Sequence, residues 1–245
     1  MGTGEAGLII IGDELLCGSR RDRHLQHVLE TLQPIHWRLA WVKMLPDDES
    51  LLCDQLAQTI NTELPVFCFG GIGATPDDVT RQSAARAARV PLLVHPQAVA
   101  EIEAQFGEAA YPKRIRMADL PEGCELIPNS VNRVPGFSVK HHHFMPGFPE
   151  MAWPMLDWVL QHYYHQAIEP MQERSLKVFD VGESELIDLM EELIARHPNV
   201  KLYSLPHLGP QRHIELGFRG RHGVEQAFLE LNELLVQAGM TIEFP

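Results

Sequence analysis

The sequence predicts an α/β protein in two parts. The first, over residues 1–170, is an open, mainly parallel sheet flanked by helices, and the second, over residues 171–245, is a small α+β domain of βαββαβ order. Three observations predict this. Short apolar, β-branched runs alternate with helix-period segments through the first half, as strands buried on both faces alternate with crossover helices. The composition shifts near Pro170. Beyond that point strand, helix, strand, strand, helix and strand follow one another, the split arrangement of ferredoxin-like domains.

Taken in order, LIIIG at 8–12 is the first strand. Asp22 then offers an N-cap, and Leu25, Val28, Leu29 and Leu32 repeat with the spacing of one helix face. Residues 35–44 read as the second strand, Leu51, Leu52, Leu56 and Ile60 as a second helix, and PVFCFGG at 65–71 as a third strand ending in glycines. The segment 75–88 opens a third helix and 96–106 a fourth. Between 120 and 149 the pattern breaks into short extended pieces, with 137–140 and 142–145 placed as a hairpin at a sheet edge. An apolar, aromatic helix follows at about 150–166.

In the second part LKVFDV, VKLYSL, RHIELGF and MTIEF are the strands, and the stretches from Glu183 and from His222 are the helices. Ile214, Leu216 and Phe218 alternate, as in a sheet with one buried face.

The chain has 245 residues, with 33 Asp and Glu against 20 Lys and Arg, a formal charge of −13. That balance argues against a nucleic-acid or anionic-membrane binder, which needs a basic footprint. It leaves room for a small phosphorylated ligand, because a local cradle of backbone amides can oppose the global field. Four widely spaced cysteines (Cys17, Cys53, Cys68 and Cys124) form no CxxC pair and read as free thiols. No apolar stretch reaches the ~20 residues of a membrane span, and the protein is expected to be cytoplasmic.

Chemistry concentrates in FGGIGATPDDVTR, residues 69–81. An apolar strand leads into a glycine-rich turn and then a helix. Gly70, Gly71 and Gly73 permit close backbone approach, and the amides at a helix start attract anions. The turn falls at the carboxyl end of a parallel strand, where open α/β sheets hold their ligands. Thr75, Pro76 and Asp78 also make an ordinary capping box, so either reading fits this segment alone. Asp13 and Glu14 follow the first strand, and Asp47 and Asp48 the second. Each acid alone suits a helix cap. Their convergence with Asp77 and Asp78 on one edge favours a divalent cation, since hard oxygen ligands suit magnesium or manganese.

The ordered set GDELLCG, Asp22, LPDD, GGIGATPDDVTR, LPEGCELIPNSVNRVPGFSV and FMPGFPEMAWPM resembles the molybdenum-cofactor biosynthesis (MoCF) superfamily. Within it the chain is most similar to the amino-terminal region of the competence/damage-inducible protein A (CinA) group, over about residues 7–160. The resemblance implies molybdopterin or another pterin- or nucleotide-type phosphate ligand. It also implies hydrolysis of ADP-ribose or FAD at the pyrophosphate with magnesium, manganese or cobalt, or else a non-catalytic molybdopterin-binding or regulatory module. Glu14, Asp47, Asp77 and Asp78 fall on motif acids. On this reading all four hold the metal, and Asp47 and Asp78 are catalytic. Gly70, Gly71, Gly73 and Thr75, with Pro146 and Gly147 of the late PG-x-P turn, line the ligand pocket. A homo-oligomer is implied, and the amidase domain of longer members is expected to be absent.

Two departures stand out. His24 occupies the place of an Asn and reads as a surface helix residue, and Met151 stands where the group carries Glu. His141, His142 and His143 read as solvated or packing residues because neighbours on a strand face opposite ways. Lys113, Arg114 and Arg116 read as a solvated face.

Overall fold

A computed structural model describes residues 4–165, 169–209 and 211–244. Two compact units divide the chain, Met1–Ile168 and Glu169–Pro245.

In the first unit the elements run β1 (Glu5–Ile11), α1 (Asp13–Leu16), α2 (His24–Leu32), β2 (Arg38–Leu45), α3 (Glu49–Ala57), β3 (Val66–Phe69), α4 (Thr80–Ala88), β4 (Leu92–Val94), α5 (Pro96–Phe106), β5 (Asp119–Pro121), β6 (Glu125–Ile127), β7 (Gly136–Val139), β8 (His142–Met145) and α6 (Pro149–Tyr163). Six strands form one sheet in the order β2-β1-β3-β8-β7-β6. The pairs β1–β2, β1–β3 and β3–β8 are parallel, and β8–β7 and β7–β6 are antiparallel. A separate antiparallel pair joins β4 to β5.

Both faces of β1 and β3 are covered, which explains why these two strands are nearly continuous apolar runs. Ile9 and Ile11 pack on one side with Leu52, Leu56, Ala84 and Ile102 from α3, α4 and α5. Leu8 and Ile10 pack on the other with Val28 and Leu32 of α2 and Met155, Leu156 and Val159 of α6. Asp22 caps α2, accepting from the His24 and Leu25 N–H groups at 2.9 and 3.0 Å. Leu29, assigned by spacing to the buried face, is 43% exposed.

Three expectations are corrected. Strand β2 begins at Arg38, because the chain first turns at His36 through a left-handed φ of 59°. The 136–145 hairpin lies inside the sheet: β8 is held by β3 and β7 is covered by β6, so β6 is the edge. Helix α4 begins at Thr80 rather than at Thr75. The reason is local. Asp78 turns its carboxylate back onto the Thr75 N–H (2.9 Å) and hydroxyl, closing a separate turn. The Thr80 N–H meanwhile donates to Gly71 O at 3.0 Å, so the glycine turn sets the direction of the helix.

His142 and His143 are buried packing residues. His142 Nε2 lies 2.9 Å from Thr59 Oγ1, and His143 lies between Ser138 Oγ (2.8 Å) and Tyr164 OH (2.7 Å).

The second unit runs β9 (Gln172–Phe179), α7 (Ile187–Arg196), β10 (Lys201–His207), β11 (His213–Gly220), α8 (Val224–Gln237) and β12 (Thr241–Glu243). Its antiparallel sheet has the order β10-β11-β9-β12. Leu176, Val178, Ile214, Leu216 and Phe218 face a core shared with Leu193 of α7 and Leu231 and Leu235 of α8. Among the described residues no helix is long and apolar enough to cross a membrane.

Candidate functional site

The parallel ladders align the ends of four strands. Ile11 pairs with Leu45, Ile10 with Phe69, and Phe69 with Met145. The residues that follow therefore leave the sheet side by side: Gly12 and Glu14 after β1, Asp47 after β2, the glycine turn after β3, and Pro146 and Gly147 after β8. They enclose a cavity of about 430 Å³. Every predicted site residue lines it: Glu14, Asp47, Gly70, Gly71, Gly73, Thr75, Asp77, Asp78, Pro146 and Gly147. A larger hollow of about 510 Å³, beside Gln97, Glu101, Asn129 and Trp158, is lined by none of them.

Backbone demands at the turn explain its glycines. Gly71 has φ 67°, and a Cβ there would run into Thr80 Oγ1, which is itself tied to Gly70 O at 3.1 Å. Gly147 lies against Gly70, with room for only 3.4 Å between a Cβ and the Gly70 Cα. Among the described residues, the successive N–H groups of Gly71, Ile72, Gly73 and Ala74 donate to no protein acceptor. With α4 starting only at Thr80, these amides belong to a loop and not to a helix terminus at Thr75.

The acids share the cavity without forming a metal cage. Asp47 Oδ2 accepts from the Asp13 N–H at 3.1 Å, and Asp78 is taken up by Thr75. Glu14 folds back over Gly12, with its Oε1 3.9 Å from Arg20. Among the described residues no group of three or more His, Cys, Asp or Glu is placed to hold a metal ion. Glu14, Asp47, Asp77 and Asp78 thus line one cavity without forming such a group as placed, and Asp47 Oδ2 and Asp78 Oδ2 accept from donors of the chain itself. Burial, reinforced by the charges of Asp13, Glu14 and Asp77, raises the Asp47 carboxyl above the ordinary carboxylate range.

Several residues of the site escaped the sequence reading. Arg81 is 4% exposed and donates to Gly73 O at 2.8 Å, to Asp119 O at 3.2 Å and to Arg116 O. It ties the glycine turn to the wall behind it. Asn129 donates to Asn132 Oδ1 and Val134 O and accepts from the Val131 N–H, which fixes the opposite wall. The only trace of Arg81 in the sequence was its place at the end of the glycine segment, where an Arg on a helix is normally solvated.

His24 is corrected outright. It is 4% exposed, stacks on Phe69 at 4.4 Å, and its Nε2 lies 3.1 Å from Gly147 O.

A cavity at the carboxyl ends of parallel strands, floored by loop amides, defines a ligand-binding α/β protein of the open-sheet class. The chain belongs to the MoCF family, described as a probable molybdopterin binding domain, which matches residues 7–166. Among its relatives, a CinA-like protein of Geobacter sp. (strain M21) is 33% identical over 80% of this chain and 49% of its own length. A putative competence-damage inducible protein of Clostridium botulinum (strain Kyoto / Type A2) is 25% identical over 80% of this chain and 50% of its own. The chain thus spans about half the length of the curated relatives it matches. The crystal structure of CinA from Thermoplasma acidophilum, described as of unknown function, shares the fold, with a TM-score of 0.60. It is 24% identical to this chain and covers 64% of this chain and 96% of its own.

Proposed function

We propose that the first unit binds a pterin- or nucleotide-type phosphate ligand, with molybdopterin one such ligand, in the cavity at the sheet edge. One observation carries this reading: four successive free N–H groups, Gly71 to Ala74, border that cavity. In a chain of charge −13, they supply the local positive potential that a phosphate needs. Gly71→Ala tests it. A left-handed φ costs a non-glycine residue about 1–3 kcal/mol, and the added methyl must displace Thr80. The variant is expected to bind AMP or ADP-ribose at least tenfold more weakly in calorimetric titration. Unchanged affinity would remove the turn from the site.

A second reading, hydrolysis of a dinucleotide pyrophosphate such as ADP-ribose or FAD, is favoured by Asp47. Its carboxyl is half-buried and held above its usual range beside the glycine turn, which suits a general base. Water adds to one phosphorus, the bond to the bridging oxygen breaks, and the proton of water passes to Asp47. Incubation with ADP-ribose and FAD, with and without magnesium, manganese or cobalt, followed by product separation, is expected to yield two monophosphates. The products should vanish in Asp78→Ala, which releases the Thr75 turn. Full rates in that variant remove Asp78 from catalysis. Thermal stabilisation without products assigns the chain to the non-catalytic binding class; saturation at 100 times Kd stabilises by about 2.7 kcal/mol. Self-association and a cytoplasmic setting belong to the same proposal, the first tested by sedimentation.

A further inference from the structure

The hollow of about 510 Å³ lies beside β6, the edge strand of the large sheet. Helices α5 and α6 pack on opposite faces of that sheet, and where the sheet ends they wall a groove. Its volume falls within the range of about 300–1,000 Å³ typical of small-molecule pockets. It is separate from the glycine-turn cavity, with Asn129 the one residue common to both linings. The loop after β6 divides the two spaces. Asn132 and Val134 border the cavity, whereas Ser130, Arg133 and Pro135 border the groove.

Two features give the groove a chemistry. Its apolar surface is built of rings: Pro128, Pro135 and Pro154 line it together with Trp158, whose indole is stacked on His162 at 4.4 Å. Rings of this kind receive a flat apolar group with little ordering of their own. Among the described residues, its only charged side chains are Glu101 and Arg133, which meet at 2.9 Å and are 43% and 51% exposed. Arg133 holds a left-handed φ of 58° that suits glycine or asparagine better. Its N–H donates to Asn129 O at 3.1 Å, which closes the turn, and its guanidinium reaches Glu101 on α5. An exposed pair contributes little on its own, so both charges can turn to a ligand. A simple anion would be opposed by Glu101 and a simple cation by Arg133, whereas a molecule carrying both charges satisfies both.

We infer that the groove is a second ligand site, for a small zwitterion with a flat apolar side group, an aromatic amino acid being the simplest chemistry. The ligand's carboxylate meets Arg133, its ammonium meets Glu101, and its ring lies on the surface of prolines and Trp158. This site is independent of the phosphate reading of the glycine-turn cavity.

Three probes with the same ring separate the charges: tryptophan as the zwitterion, tryptamine as the cation and indole-3-acetate as the anion. In calorimetric titration of the full chain near neutral pH, tryptophan is expected to bind at least tenfold more tightly than either of the others. Glu101→Gln should transfer the preference to indole-3-acetate, and Arg133→Gln should transfer it to tryptamine. Misfolding would weaken all three probes together and could not produce those opposite reversals. Saturating AMP should leave the affinity for tryptophan within twofold. Absence of tryptophan binding, equal affinities for the three probes, or an unchanged preference in either variant overturns the site. Displacement of tryptophan by AMP overturns it too, by placing the probe in the glycine-turn cavity.

Discussion

Below pH 6.5 the first unit is expected to lose stability steeply, at up to about 2.7 kcal/mol per pH unit from two residues alone. Burial pushes both His142 and His143 down to about 3, against about 6.5 in an unfolded chain. Between those values the unfolded state binds protons that the folded state refuses. Stability is therefore fully present above pH 6.5 and falls as the pH drops toward 3. His24 and His27, also lowered by burial, act in the same direction. Asp47, raised by burial, acts in the opposite sense. Domains are stable by only about 5–15 kcal/mol, so two such groups suffice to unfold the unit well before pH 3. Denaturant titrations from pH 7.5 to 4 measure the slope. The double variant His142→Leu, His143→Gln is expected to be less stable at pH 7.5 yet to show a much shallower acid limb. An acid limb as steep as the parent's in that variant would falsify the assignment.

Replacing Arg81 by Met is expected to cost about 3–5 kcal/mol, because each hydrogen bond from a charged donor to a buried carbonyl is worth about 1.5–3 kcal/mol. The guanidinium reaches carbonyls in three places, at Gly73, Arg116 and Asp119, and burial already lowers its basicity. Arg81→Lys keeps a charge but has one point donor where a fork is needed, so it should recover only part of the loss. The thermal midpoint reports the stability. Affinity for AMP should fall in both variants as the Gly73 carbonyl is released. A Met variant as stable as the parent would mean that the three carbonyls find other partners.

Much of this architecture was legible in the sequence for one reason: strands buried on both faces are written as unbroken apolar runs, and crossover helices as 3.6-residue repeats. LIIIG and VFCF announced β1 and β3, and the glycines and acids beyond them marked the carboxyl edge. What escaped depended on contacts distant in sequence. The start of α4 was misplaced because Thr75 and Asp78 satisfy a capping rule locally, while Thr80 answers to Gly71 across the turn. The hairpin was placed at an edge because nothing in its residues reveals that β6 lies outside it. His24 read as a surface residue because its burial comes from Phe69 and Gly147. The acids line one cavity, but nothing in their spacing reveals that Asp47 Oδ2 turns to the Asp13 N–H and Asp78 Oδ2 to Thr75.

The pairing of β3 with β8 has a consequence for how the protein is made. Val66 meets His142 in a parallel ladder, so the glycine turn acquires its Pro146–Gly147 neighbour only after the intervening chain has been synthesised. Such long-range pairing is slow to form because loop closure precedes its reward. The earlier strands β1, β2 and β3 can associate first, leaving one side of β3 exposed until β8 arrives. Ligand capture by a nascent chain stalled before residue 142 should therefore fail, and its appearance during synthesis would time the closing of the sheet.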